Sequence, residues 1–471
     1  MSLEANPEFR ESFDLRGRPR GIVLGGDGVH HPSSPRGGGN AFTPYQEITH
    51  LAASRRTVWL GARRSVYAFP RRAFTDARGP ETLVRALIAR IARRPGGSAQ
   101  LARMAEVEET ARSLPRLRAT WVLVAACLVG FVAQLAAGEM VFEVSYFSPV
   151  LVMDGDLWRL VTANLIHVHP GFPVHLVLNL LGLVALGAMV ERSLGAARAA
   201  CIMAASGLAA MAASGLAGYA SVVGVSGVVF GLAGAALWLE LYRTDQLPAW
   251  LRIPRRAFLL LLLVNAVLMI VIPVIAGAAH VGGFAAGFLT TALVIGRGIG
   301  RAVNPAWIRA TAVLVAGISA AAVGSATAEL AATPGFVARH AQRLARLPGL
   351  SPIELNERAW AIAIAPETTD DELKAALLLA ERAVLETQRS IPAVLDTLAE
   401  VQFLMGWPDR AIATIDEAIA QDPGQSYYRE QRKRFAGERA ADDRPEGPFF
   451  MPAPSPEPAP LAPAQEQGLT V

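Results

Sequence analysis

The sequence predicts an all-α polytopic membrane protein with a small α+β soluble module before its spans and helical repeats after them. Three observations carry this. Hydrophobic residues make up 52% of the 471-residue chain and charged residues only 18%. The apolar residues concentrate between about residues 119 and 330, in runs near the roughly 20 residues that cross a bilayer. Arginines cluster in every second loop between those runs.

Residues 1–110 form the soluble module. They are polar and Arg-rich and lack an apolar signal-peptide region, so the N-terminus is expected in the cytoplasm, with the first span as an internal anchor. Gly21–His31, Tyr45–Ala53 and Thr57–Pro70 read as short strands separated by turns. Glu81–Ile91 has helical apolar spacing, and Pro95, Gly96 and Gly97 read as a hinge. Strands followed by one helix resemble the bacterial pleckstrin-homology-like domains, without a motif specific to them.

Seven spans are expected, near 119–137, 172–190, 196–218, 226–242, 257–278, 280–296 and 308–329. Six of them lie in a core of residues 111–300, and the seventh falls within 301–335. Arg112, Arg116 and Arg118 precede the first. Arg192 and Arg198 lie around the junction of the second and third, and Arg243, Arg252, Arg255 and Arg256 between the fourth and fifth. Arg297, Arg301 and Arg309 lie around the junction of the sixth and seventh. The positive-inside rule puts these clusters in the cytoplasm. The alternate loops, 138–171 and 219–225, hold a single Arg between them, and seven crossings place the C-terminal region outside.

Residues 351–435 are helical and repetitive. Trp360 and Leu395, Ala376 and Ala411, and Ala383 and Ala418 are each 35 residues apart. The paired alanines sit where only small side chains let helices pack closely. The pattern resembles the tetratricopeptide repeat and implies a peptide or protein partner. Residues 436–471 are Pro-rich and expected to be disordered.

Composition also excludes classes. The net charge is only +4 and Lys occurs only at Lys374 and Lys433, so no nucleic-acid footprint is visible. Cys127 and Cys201 sit in apolar runs with neither metal nor disulfide spacing. The spans show no duplication, and the acid Glu240 lies near a cytoplasmic end, which argues against a transporter.

The chemistry concentrates at Gly224-Val225-Ser226-Gly227. Such a tetrapeptide alone more often serves helix packing. Here Ser226 opens a span after a short outer loop, at a helix N-terminus that favours developing negative charge. Ser is inert without a base, and His280 opens the sixth span from the same side. An intramembrane His is costly and suggests function. Gly283 and Gly287 follow it on one helix face, for close packing on the fourth span. The sixth span holds no acid, which argues for a Ser–His dyad over a triad, with a distant acid left open. His175 and Asn179, at i and i+4, share a face and can donate to an oxyanion.

This ordered set resembles the rhomboid intramembrane proteases. Trp158-Arg159, Thr162 and His167 look like the family's outer-loop pattern, and His175–Asn179 like its H-x-x-x-N motif. Glu191–Gly195, Gly224–Gly227 and His280–Gly287 look like its E-x-x-x-G, G-x-S-G and H-x-x-G-x-x-x-G motifs. The resemblance covers about residues 119–296 and implies a six-helix core with the seventh span added. It implies Ser226 as nucleophile and His280 as base, with Asn179, His175 and the Ser226 N–H as oxyanion donors. Trp158 and Arg159 would anchor the outer loop at the membrane interface, Glu191 would be structural, and the resemblance implies no metal or organic cofactor. The implied activity is a serine endopeptidase acting in the bilayer on membrane-anchored substrates near their transmembrane segments. The implied site is the inner membrane of a bacterial cell. A catalytically inactive binding relative is the alternative, argued against by the intact Ser226, His280 and Asn179. Two features depart from the pattern. Phe230 stands where many bacterial members carry a Tyr, and the stretch between His167 and His175 is longer and adds His169 and two prolines.

Overall fold

The computed structural model describes residues 11–16, 21–33, 39–112, 117–137, 139–168, 173–253, 255–271, 276–296, 305–331 and 335–445. The chain divides into two units, Met1–Ala331 and Ala332–Val471.

The first unit opens with seven short strands. β1 (Glu11–Phe13), β2 (Ile22–Leu24), β3 (Gly28–Pro32) and β4 (Asn40–Pro44) pair in order as an antiparallel sheet. β5 (Ile48–Ala53), β6 (Thr57–Ala62) and β7 (Ser65–Pro70) form a second. Two stretches read from sequence as single strands are each a hairpin. Gly25–Asp27 breaks the first, and Arg63-Arg64 turns the second where Ala62 pairs with Ser65. α1 (Gly79–Ala92) lays Leu83, Leu87 and Ile91, one face at i, i+4, i+8, against Ile22, Leu24, Ile48 and Leu60.

A second helix, α2 (Gly97–Arg112), was not anticipated. Its apolar stripe is only Leu101, Met104 and Val107, too short to stand out in sequence. Tertiary bonds hold it: Gln100 Nε2 donates to the carbonyls of Tyr45 (2.7 Å) and Ile48 (2.8 Å). Pro95-Gly96-Gly97 is therefore the turn between two packed helices, with Gly96 at φ 76°.

Then come the apolar helices. α3 (Arg118–Ala137) is followed by a segment, the outer loop of the sequence reading, with three short helices among the described residues, α4 (Glu139–Ser145), α5 (Pro149–Met153) and α6 (Arg159–Thr162). After it run α7 (Val174–Leu194), α8 (Ala196–Leu216), α9 (Ser226–Tyr242), α10 (Arg255–Val271), α11 (Gly277–Val294) and α12 (Ala306–Ala331). Among the described residues five helices, α3, α7, α8, α11 and α12, are long and apolar enough to cross a membrane. A bent stretch that includes α10 makes six, and α9 is apolar but only 17 residues long. α7 continues four residues past the expected end at 190, so Glu191 lies in its last turn and Gly195 caps it. His280 lies in the first turn of α11 rather than opening it, because the small residues Gly277, Ala278 and Ala279 extend the helix backwards.

α9 is the centre of this bundle, packed against α7, α8 and α11. Its C-terminal end is tied to the β-module. Arg252 forks onto Glu240 at 2.7 and 2.9 Å and donates to the Ala62 carbonyl at 2.7 Å, with both side chains buried.

Among its described residues the second unit is built of helices: α13 (Phe336–Leu344), α14 (Pro352–Ala363), α15 (Asp370–Glu386), α16 (Pro392–Leu404), α17 (Pro408–Gln421) and α18 (Ser426–Phe435). Capping boxes start α14 (Ser351, Glu354) and α15 (Thr369, Glu372). α14 packs on α15, and α16 on α17. Ala376, Ala383, Ala411 and Ala418 are all at 0% exposure, where the repeat spacing put them. The tail from residue 446, which includes most of the Pro-rich segment, lies outside the described residues.

Candidate active site

Ser226 is the first residue of α9, where a helix begins with N–H groups that lack an acceptor one turn back; Val228 and Val229 N–H share the Val225 carbonyl, at 2.9 and 3.1 Å. The chain reaches it through a held segment: Phe147 and Val222 bridge with paired backbone bonds, and Gly224 N donates to the Ala163 carbonyl at 2.8 Å. Gly224 has φ 112°, a conformation favoured in glycine.

His280 approaches from α11. Its Nε2 is 2.9 Å from Ser226 Oγ. Its ring stacks on Phe230, one turn along α9 from Ser226, with centroids 4.2 Å apart and planes 10° apart. Nδ1 of His280 has no hydrogen-bond partner among the described residues. Glycine contacts allow this approach. A Cβ at Gly283 would run into the Gly227 carbonyl, and one at Gly287 into the Gly231 carbonyl.

His175 and Asn179 come from the first two turns of α7 and converge on the backbone just before Ser226. A Cβ built on Gly224 would lie 3.1 Å from His175 Nε2 and 3.8 Å from Asn179 Nδ2. Asn179 Nδ2 is buried without a protein acceptor among the described residues, a donor free for a substrate oxygen. A serine hydroxyl at a helix N-terminus, in contact with an imidazole and beside an unsatisfied amide donor, can support acyl transfer through a nucleophilic serine.

The outer-loop residues lie apart from that chemistry. Trp158 Nε1 donates to the Val144 carbonyl (2.9 Å), and Arg159 donates to Asp156 (2.8 Å) and to the Glu143 and Tyr146 carbonyls (2.8 and 2.9 Å). Thr162 Oγ1 donates to the Ser145 carbonyl (3.0 Å). Arg159 is 1% exposed, so these residues tie the outer segment to itself. Glu191 accepts from the N–H groups of Ala119 and Thr120 and from the Thr120 hydroxyl at 2.7–2.9 Å, fastening α7 to the start of α3. His169 lies outside the described residues.

Comparison with known proteins now adds to this geometry. The Rhomboid domain family matches residues 154–297, which contain Ser226, His280, His175 and Asn179. The chain carries a rhomboid domain over those residues. Its relatives include RHOMBOID-like protein 5 of Arabidopsis thaliana, 31% identical over 165 residues, covering 34% of this chain and 50% of that protein. RHOMBOID-like protein 4 of the same plant is 36% identical over 140 residues, covering 29% of this chain and 34% of the relative. Rhomboid protease GluP of Bacillus subtilis (strain 168) is 30% identical over 142 residues, covering 30% and 27%. The chain thus spans half or less of the length of each of these relatives. With its apolar helices, this rhomboid is an integral membrane protein.

Sequence reasoning passed over one polar residue near the rhomboid site. Gln134, in α3, is 4% exposed and bonds both backbone groups of His167. The available signal was an amide in an otherwise apolar span. The Arg252 contact with Ala62 had no such signal.

Proposed function

We propose that this rhomboid is a serine endopeptidase that cleaves membrane-anchored proteins within or near their transmembrane segment. The observation that carries the reading is the 2.9 Å approach of His280 Nε2 to Ser226 Oγ. Ser226 attacks the scissile carbonyl while His280 Nε2 takes its proton and later returns it to the leaving amine. The absence of a partner on His280 Nδ1 among the described residues supports a dyad. Asn179, His175 and the Ser226 N–H hold the oxyanion.

The proposed division follows the sequence reading: a cytoplasmic module (1–110), the protease core (111–300), a seventh span (301–335), tetratricopeptide-like repeats (351–435) and a tail (436–471). The alanines at 0% exposure where α14 packs on α15 and α16 on α17 support the repeat reading. The repeats recruit or position a protein partner. The Arg distribution supports a cytoplasmic N-terminus in a bacterial inner membrane.

The test is cleavage of a single-span reporter in proteoliposomes by wild type, Ser226→Ala and His280→Ala. Cleavage by wild type alone is expected. A folded wild type that neither cleaves nor reacts at Ser226 with a fluorophosphonate overturns the protease reading in favour of an inactive relative.

A further inference from the structure

We propose that Gln134 is a positioning residue that sets His175 as an oxyanion donor by fixing its tautomer; the role rests on the protease reading above.

Gln134 Nε2 donates to the His167 carbonyl at 2.8 Å, and its Oε1 accepts from the His167 N–H at 3.1 Å. A backbone N–H can only donate and a carbonyl only accept, so these two bonds also fix which end of the amide is which. Gln134 and His167 are both buried, at 4% and 0% exposure. The pair therefore clamps the chain where it leaves the outer segment for α7.

The next residue uses that placement. Val168 N–H points at His175 Nδ1, 3.4 Å away. Nδ1 is the acceptor there, so in the neutral ring the proton resides on Nε2. Nε2 is the atom beside Gly224, facing the approach to Ser226. An Nε2–H donates to a developing oxyanion, whereas an Nε2 lone pair would repel it. His167 is clamped through its backbone, and its ring meets the His175 ring edge-on, with centroids 5.2 Å apart. The chain of control thus runs from a side chain in the first span, through a backbone segment, to the protonation site of a ring in the second.

The experiment uses full-length protein in proteoliposomes with 15N-labelled histidine, His175 being assigned by difference from His175→Ala. Wild type is expected to show Nε2 protonated and Nδ1 bare. Gln134→Met, similar in size but unable to make either bond, is expected to move His175 toward the Nδ1-protonated form. Its kcat falls about tenfold, less than the 10²–10³ for outright loss of an oxyanion donor, with KM unchanged. An unaltered His175 spectrum and unaltered kcat in Gln134→Met overturn the proposal. If that variant does not fold, Gln134→Glu decides. Its neutral carboxyl keeps both bonds and its carboxylate cannot donate to the His167 carbonyl. Its kcat relative to wild type should fall as pH rises, and a pH-independent ratio of one overturns the proposal. A wild type that cleaves nothing sinks the protease reading, yet the tautomer measurement still decides the role of Gln134.

Discussion

Gly283 of α11 sits directly on Gly227 of α9, with no room for even a methyl group between the two backbones. One turn on, Gly287 sits on Gly231 in the same way. This seam brings His280 to Ser226, so the glycines set the distance within the candidate pair. Gly283→Ala should push the helices apart, at the roughly 1–3 kcal/mol typical of overpacking. Fluorophosphonate labelling of Ser226 is expected to slow by at least about tenfold, with a lower melting temperature. Labelling at the wild-type rate would show that the seam does not control the dyad.

Phe230 holds the face of the His280 ring. Aromatic pairs add about 0.5–1.5 kcal/mol beyond burial, so Phe230→Ala should cost on the order of 2–10-fold in kcat. Phe230→Tyr keeps the ring and should stay near wild type. Equal losses in both variants would mean that the stack is not what matters.

Arg252 joins Glu240 of the serine-bearing helix to the carbonyl of Ala62 in the β-module. Removing one partner of a buried ion pair costs about 3–5 kcal/mol. Arg252→Ala should lower the melting temperature and make the module more sensitive to limited proteolysis. A module as protease-resistant as in wild type would show that other contacts hold it.

Asp396 in the second unit gives a pH signature. Burial, with Glu400 nearby, pushes its carboxyl up to about 7, opposed by hydrogen bonds from Tyr427 and Gln431 and by the Arg434 charge. The folded state therefore binds a proton that the unfolded chain releases near 3.8. Stability from this group is present below about 4 and is lost as pH rises to about 7. Amide hydrogen exchange in α16 and α18 of the full-length protein should quicken over that range beyond its intrinsic pH dependence. Asp396→Asn should flatten the trend, and an equal slope in the variant would assign it to another group.

Local pattern made much of this molecule legible in its sequence. Apolar runs with alternating arginines mark spans because a bilayer imposes length and charge asymmetry on any helix that crosses it. A Ser and a His at the starts of two same-side helices place the candidate dyad at one depth, and 35-residue spacing predicts the buried alanines. What the sequence could not decide rests on contacts between distant segments. The Arg252–Ala62 bond spans 190 positions, and the Gln134–His167 clamp spans 33. α2 forms under bonds to Tyr45 and Ile48 that its own weak stripe does not announce. Such hydrogen bonds depend on where two backbones meet in space, whereas periodicity reports only which face of an element is apolar. Sequence alone therefore determined the apolar helices and the candidate Ser226–His280 pair, and tertiary structure alone decided what holds them in place.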